Sequence, residues 1–144
     1  MITIEKVALL RAIPFFAGIP DFILASVAQI TEEIELAAGQ TFIQEGALED
    51  TMYIIVDGTV RVHSQDKTII TLGPGQSVGE LAVLDPEPRS ANVSTLEDTL
   101  LFRIEKVLFD DVMADRPEIA RGVIQALCQR VREQGRLMVA TQGS

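Results

Sequence analysis

One short stretch, GELAVLDPEPRSANV (79–93), brings together a glycine, an acid, an arginine and two small residues. The combination suits a small phosphorylated ligand. Gly79 has no Cβ, so the backbone there can approach a ligand closely. Glu80 to Leu84 can form one helical turn, ended by Pro86. The first amides of such a turn lack intrahelical partners and attract anions. Arg89 adds a planar, permanently charged fork that matches phosphate oxygens, and an arginine kept for phosphate should be partly solvated. Ser90 and Ala91 are small enough to leave their amides accessible. Glu80 is the odd member, because a carboxylate repels phosphate. It fits if it accepts hydrogen bonds from hydroxyls, as acids do for ribose in dinucleotide sites. One phosphate and one hydroxyl-binding acid describe a small nucleotide. Taken singly, the same residues have plainer readings. Gly79-Glu80 would be a turn with a solvated acid. Arg89 would be a surface partner of Asp85 or Glu87, worth about 0–1 kcal/mol.

The elements that must position this stretch are short strands. Six of the ten glycines (Gly39, Gly46, Gly58, Gly73, Gly75, Gly79) lie between residues 39 and 79, spaced like turns. Between them run TFIQ (41–44), MYIIVDG (52–58), TVRVHS (59–64) and KTIITLG (67–73), rich in β-branched residues. TVRVH alternates like a half-buried strand, whereas MYIIV is apolar throughout and belongs at the centre of a sheet. SANVSTLE and TLLFRI follow, turning near Glu97-Asp98. Roughly eight short strands with glycine-marked turns imply a sandwich or barrel.

The flanks are helical. Residues 4–12 and 20–30 are short helices separated by IPFFAGIP, whose Pro14, Gly18 and Pro20 break the pattern. A third helix spans 105–114 and stops near Arg116-Pro117. A fourth runs from Pro117 to about 139, with Ala120, Ile124, Leu127, Val131, Gln134 and Met138 spaced by four and three. That stripe is either a face packed on its own domain or a dimer seam. His63, in an alternating strand, is an exposed or hydrogen-bonded imidazole. Cys128 reads as a small buried hydrophobe, and ALEDT (47–51) as a solvated loop.

Composition excludes several classes. With 144 residues and a net charge of −9, the chain lacks the basic face that nucleic acid or anionic lipid requires. Any anion must be small and held locally. One cysteine permits no intrachain disulfide and no thiolate metal cluster, which fits a cytoplasmic protein or the cytoplasmic domain of a larger one. No stretch reaches the roughly 18 apolar residues of a membrane span. A single histidine leaves a cupin-type metal enzyme without its ligands, and no Ser/His/Asp set can be drawn. The expectation is no catalytic residues, no metal and no cofactor.

The cassette GELAVLDPEPRSANV, with the glycines of AAGQTFIQEGALEDTMYIIVDGTVRV, resembles the cyclic nucleotide-binding domains of bacterial catabolite-type regulators, protein kinase regulatory subunits and gated channels. The resemblance covers nearly the whole chain. It implies that Glu80 binds the ribose 2′-hydroxyl and Arg89 the cyclic phosphate of cAMP or cGMP. It further implies that the backbone around Gly79, Leu81, Ala82, Ser90 and Ala91 completes the pocket. A hydroxyl at Ser90 is compatible with either base. After Phe109 no aromatic residue remains to cap the base, which leaves Arg132, Arg136, Leu137 or Met138 as weaker lids.

The fold expected is α+β and mainly β: a double-stranded β-helix (jelly-roll) β-roll flanked by N-terminal helices and two C-terminal helices. It forms one domain over 1–144, with a helical entry at 1–30, the roll at 31–104, the cassette at 79–93 and closing helices at 105–139. The function expected is a cyclic nucleotide sensor whose closing helices transmit occupancy. Its partners would be a cyclic mononucleotide and either a second copy through 117–139 or a fused effector domain. The alternative is a non-binding domain of the same fold used for assembly or docking. Neither nucleic-acid polymer binding nor membrane insertion is expected.

Overall fold

The structure is a computed structural model that describes residues 1–142. Two compact units emerge, a helical one from residues 1–28 with 112 onward, and a β-roll from Gln29 to Asp111.

In the roll, β1 (Glu32–Leu36), β8 (Thr99–Glu105), β3 (Thr51–Asp57) and β6 (Ser77–Val78) form one antiparallel sheet in the order β1-β8-β3-β6. The second sheet is β2 (Thr41–Ile43), β7 (Asn92–Thr95), β4 (Val60–Ser64) and β5 (Lys67–Leu72), in the order β2-β7-β4-β5. Side chains alternate across each strand, so Tyr53, Ile55 and Leu101 from the first sheet meet Ile43, Val60 and Val93 from the second in one core. β3 lies inside its sheet, and Met52 and Ile54 on its other face are buried as well. Burial on both faces explains why MYIIV carries no polar alternation. The expected mainly β roll with helical flanks is the fold observed.

The buried His63 is fully satisfied. Its Nδ1–H donates to the Gln65 carbonyl at 2.7 Å, which leaves Nε2 to accept from Ser94 Oγ at 2.7 Å. The expected exposed-or-bonded imidazole is therefore the bonded one.

The helical unit contains α1 (Thr3–Arg11), a 3-10 turn at Pro14–Phe16, α2 (Asp21–Ile30, to Ala28) and all of α4 (Pro117–Gln142). Phe15 and Phe16 pack edge to face with centroids 5.2 Å apart. A Cβ on Gly122 would stand 2.6 Å from Ile19 Cγ1, so only glycine lets α4 come this close. The contact decides which face of α4 is covered. Ile119, Gly122 and Val123 are buried, whereas Ile124, Val131 and Met138 of the expected stripe are exposed. Those three members are thus not packed on their own unit, whereas Ala120 and Leu127 are half-buried. Cys128 is also exposed, which corrects its reading as a buried hydrophobe. It sits on the uncovered side of the helix. α3 (Lys106–Asp115) joins roll to helices and buries Phe109.

Candidate ligand site

Gly79 follows β6 with φ +72° and ψ 23°, a left-handed conformation that costs an L side chain of order 1 kcal/mol or more. It caps a 3-10 turn over Glu80–Val83, one residue shorter than the turn expected. Inside that turn the Ala82 N–H donates to the Gly79 carbonyl at 3.0 Å, so this amide is already used locally. Leu81 is exposed, Ala82 and Ala91 are buried, Glu80 is half-buried and Ser90 is exposed.

The arginine differs from expectation in its surroundings. Arg89 is only 8 % exposed rather than partly solvated. Its Nη2 donates to the Thr51 carbonyl at 2.7 Å and to Thr51 Oγ1 at 3.1 Å, and lies 3.4 Å from Glu49 Oε2. The carboxylate beside it is therefore Glu49, not Asp85 or Glu87. Its Nη1 lies against Gly79, where a Cβ would collide with the guanidinium. Gly79 is thus needed for close approach, but what approaches is Arg89. Its Nε is buried with no partner. A buried donor left unsatisfied costs about 1–3 kcal/mol, and more on a charged group. Such a group in a native fold calls for a specific explanation, among them a bound water, an ion or a functional role.

The backbone of Arg89 is strapped to the loop before β3. Its N–H donates to the Ala47 carbonyl at 2.9 Å, and its own carbonyl accepts from the Gly46 N–H at 2.8 Å. Pro88 and Leu48 form an isolated antiparallel bridge beside them. The segment ALEDT (47–51) is therefore not a plain solvated loop. It supplies Ala47, Glu49 and Thr51 to hold the arginine. Sequence reasoning missed Glu49 and Thr51 because they lie 40 and 38 residues upstream of Arg89.

A second cation was also missed. Arg103 shares the inner face of β8 with Leu101 and pairs in register with Tyr53 and Glu32. Its Nη2 is 2.8 Å from Glu32 and 3.4 Å from Glu105. Burial works to lower its pKa, but the Glu32 hydrogen bond and the charges of Glu32, Tyr53 and Glu105 together outweigh that, so the group is held above its ordinary value. Among the described residues no three His, Cys, Asp or Glu side chains stand together as a metal site, and no helix is long and apolar enough to cross a membrane.

A two-sheet roll that holds a glycine-capped turn against a buried, incompletely bonded arginine defines a class: a domain that recognises a small anion. The family model for the cyclic nucleotide-binding domain matches residues 33–116, and the chain belongs to that family. It is 33 % identical over 112 residues to the Pycsar effector protein XpPycTIR of Xanthomonas perforans, covering 77 % of this chain and 37 % of that protein. It is 26 % identical over 122 residues to a CRP-like cAMP-activated global transcriptional regulator of Mycobacterium tuberculosis, covering 81 % of this chain and 54 % of that one. The chain thus spans about a third to a half of the length of these relatives. The N-terminal domain of a transcriptional regulator from Streptomyces coelicolor superposes with a TM-score of 0.83 at 28 % identity, over 90 % of this chain and 94 % of that one.

Proposed function

We propose that this chain reversibly binds a 3′,5′-cyclic purine mononucleotide, cAMP or cGMP, and does not hydrolyse it. The observation that carries the reading is Arg89: a cation more than nine-tenths buried, with an unpartnered Nε. A phosphate diester at this fork supplies the missing acceptor and a charge-assisted bond. Glu80 takes the ribose 2′-hydroxyl, and the backbone around Gly79, Leu81, Ala82, Ser90 and Ala91 lines the pocket. Family membership and the cAMP-activated relative support the same ligand class.

The roll and the helices act as one ligand-responsive domain over residues 1–144. Occupancy is transmitted through 105–139, and it does so only because two helix arrangements differ in ligand affinity. The exposed stripe of Ile124, Val131 and Met138 offers a surface for a second copy or a fused effector domain. The same stripe favours a second reading, in which the chain is an assembly module without a ligand.

A thermal shift with each cyclic nucleotide separates the two readings. At about 100 times Kd the ligand adds roughly 2.7 kcal/mol of stability. No shift with either nucleotide, in a protein whose stripe still self-associates, leaves the assembly reading standing. Hydrogen exchange then tests transmission. Ligand should change protection in 105–139 more than in strands away from the cassette, and a uniform change would mean a rigid pocket.

A further inference from the structure

Tyr53 is the chain's single tyrosine, and there is no tryptophan. It lies on β3 with its side chain in the core of the roll, among Ile55, Val78 and Leu101, and is only 8 % exposed. An edge-to-face contact with Phe42, centroids 5.0 Å apart, holds the ring in place. Its hydroxyl has no hydrogen-bond partner among the described residues. A buried tyrosine normally finds one, so the exception asks for a reason. The oxygen is also not sealed in. Among the described residues, the side-chain atoms wholly buried without a partner are Nε of Arg89 and Nε of Arg103. The phenol oxygen therefore keeps some contact with solvent.

Two neighbours place the Tyr53 side chain beside the cassette. Thr51 lies two residues back on the same face of β3, roughly 7 Å away at about 3.3 Å per residue. Its carbonyl and Oγ1 accept from Arg89 Nη2. Across the sheet, Tyr53 pairs in register with Val78, the residue before Gly79, and Arg89 Nη1 lies against Gly79. Tyr53 is thus flanked, along its strand and across it, by the neighbourhood that grips the guanidinium. Its other register partner, Arg103, is already engaged by Glu32 and Glu105.

We infer that Tyr53 is a further ligand contact, whose hydroxyl donates a hydrogen bond to an oxygen of the phosphate held at Arg89. The inference rests on the reading that a cyclic nucleotide binds there. With Nη2 committed to Thr51, Arg89 meets a phosphate with less than its full fork, and the phenol supplies one more donor. The ring is already ordered by Phe42, so the bond costs little conformational freedom when the ligand arrives.

The test compares the native chain with Tyr53→Phe, which keeps the ring and its contact with Phe42. Calorimetry measures affinity for cAMP and for cGMP, and denaturant titration measures stability without ligand. Affinity for whichever nucleotide the native chain binds should fall about tenfold in Tyr53→Phe, the low end for a hydrogen bond to a charged group. Ligand-free stability should stay the same or rise, because the hydroxyl has no bond to lose there. A hydroxyl with a purely structural role cannot give that split. A second readout is the tyrosine Raman doublet, which responds to hydrogen bonding at the phenol and here reports Tyr53 alone. In the native chain, saturating nucleotide should shift it towards a phenol that donates to an anion. Unchanged affinity in Tyr53→Phe, or an unchanged doublet at saturation, overturns the inference. So does a loss of ligand-free stability as large as the loss of binding, which would make the hydroxyl structural. If neither nucleotide binds the native chain, the reading of the site fails first and takes this contact with it.

Discussion

Arg89 and Arg103 stand in one β-roll, and each leaves a buried Nε without a partner. Their surroundings differ. Arg103 is about a third exposed and lies 2.8 Å from one carboxylate and 3.4 Å from another. Arg89 is almost wholly buried, its short bonds go to the neutral oxygens of Thr51, and its carboxylate is the more distant contact. Charge at Arg103 is balanced within the fold. At Arg89 the fold provides position and a single counter-charge, Glu49, at 3.4 Å. On the proposed function, that contrast separates an ion pair that ties strands together from a cation kept for a ligand.

The contrast breaks most visibly at Arg89. In Arg89→Ala, cyclic nucleotide affinity measured by calorimetry should fall by roughly 10- to 150-fold, the loss of a charge-assisted contact worth about 1.5–3 kcal/mol. Arg103→Ala should leave affinity within about threefold. Equal losses in the two variants would erase the distinction. Because Arg89 is buried, its removal should also lower ligand-free stability by about 1–3 kcal/mol in a denaturant titration, as the Thr51 oxygens lose their donor.

Glu80 sharpens the comparison from the ligand side. A 2′-deoxy cyclic nucleotide should bind the native chain about 1.5–3 kcal/mol more weakly, the value of a hydrogen bond to a charged group. In Glu80→Ala that penalty should nearly vanish. The cycle separates the contact from general damage to the turn. A deoxy penalty of the same size in both proteins would remove Glu80 from the ribose.

Gly79→Ala should cost about 1–2 kcal/mol in thermal or chemical unfolding, since φ is +72° and the new methyl meets the guanidinium. Affinity should fall with it, because the group displaced is Arg89. Destabilisation with unchanged affinity would mean that the arginine can shift without consequence.

The smallest effect belongs to Arg103. Glu32→Gln should lower stability by about 0–1 kcal/mol, because this pair is largely solvated. The Arg103 pKa is raised by folding, so its contribution is fully present below the unfolded-state value. It is lost only as pH rises through the folded-state value. Denaturant titrations across the neutral range should therefore show the same Glu32→Gln difference throughout.

Much of the roll is legible in the sequence, because its strands are apolar and its turns are marked by glycine. β1 and β6 are not. β1 reads EEIEL, with only Ile34 and Leu36 turned to the core, and β6 has two residues. β6 is too short to display a period, and β1 alternates but with only two apolar residues among three acids. In the cassette the residue types were visible but their environment was not. Burial of Arg89 depends on Thr51 and Glu49 across nearly forty residues, and no local pattern encodes such a pairing. Which face of α4 is covered stays open in the sequence for a related reason. Its contact is made through Gly122 against Ile19, and a glycine adds nothing to an apolar stripe.

The two backbone bonds between Arg89 and the Gly46–Ala47 loop have a kinetic consequence. An arginine on a loose loop would surrender its conformational freedom at the moment of binding. Here the main chain has surrendered it already, during folding, and Thr51 fixes the fork as well. Little ordering at Arg89 remains for the encounter, so arrival need not wait for this part of the site to assemble. Differences among well-fitting ligands should then appear in how long each stays rather than in how quickly it enters.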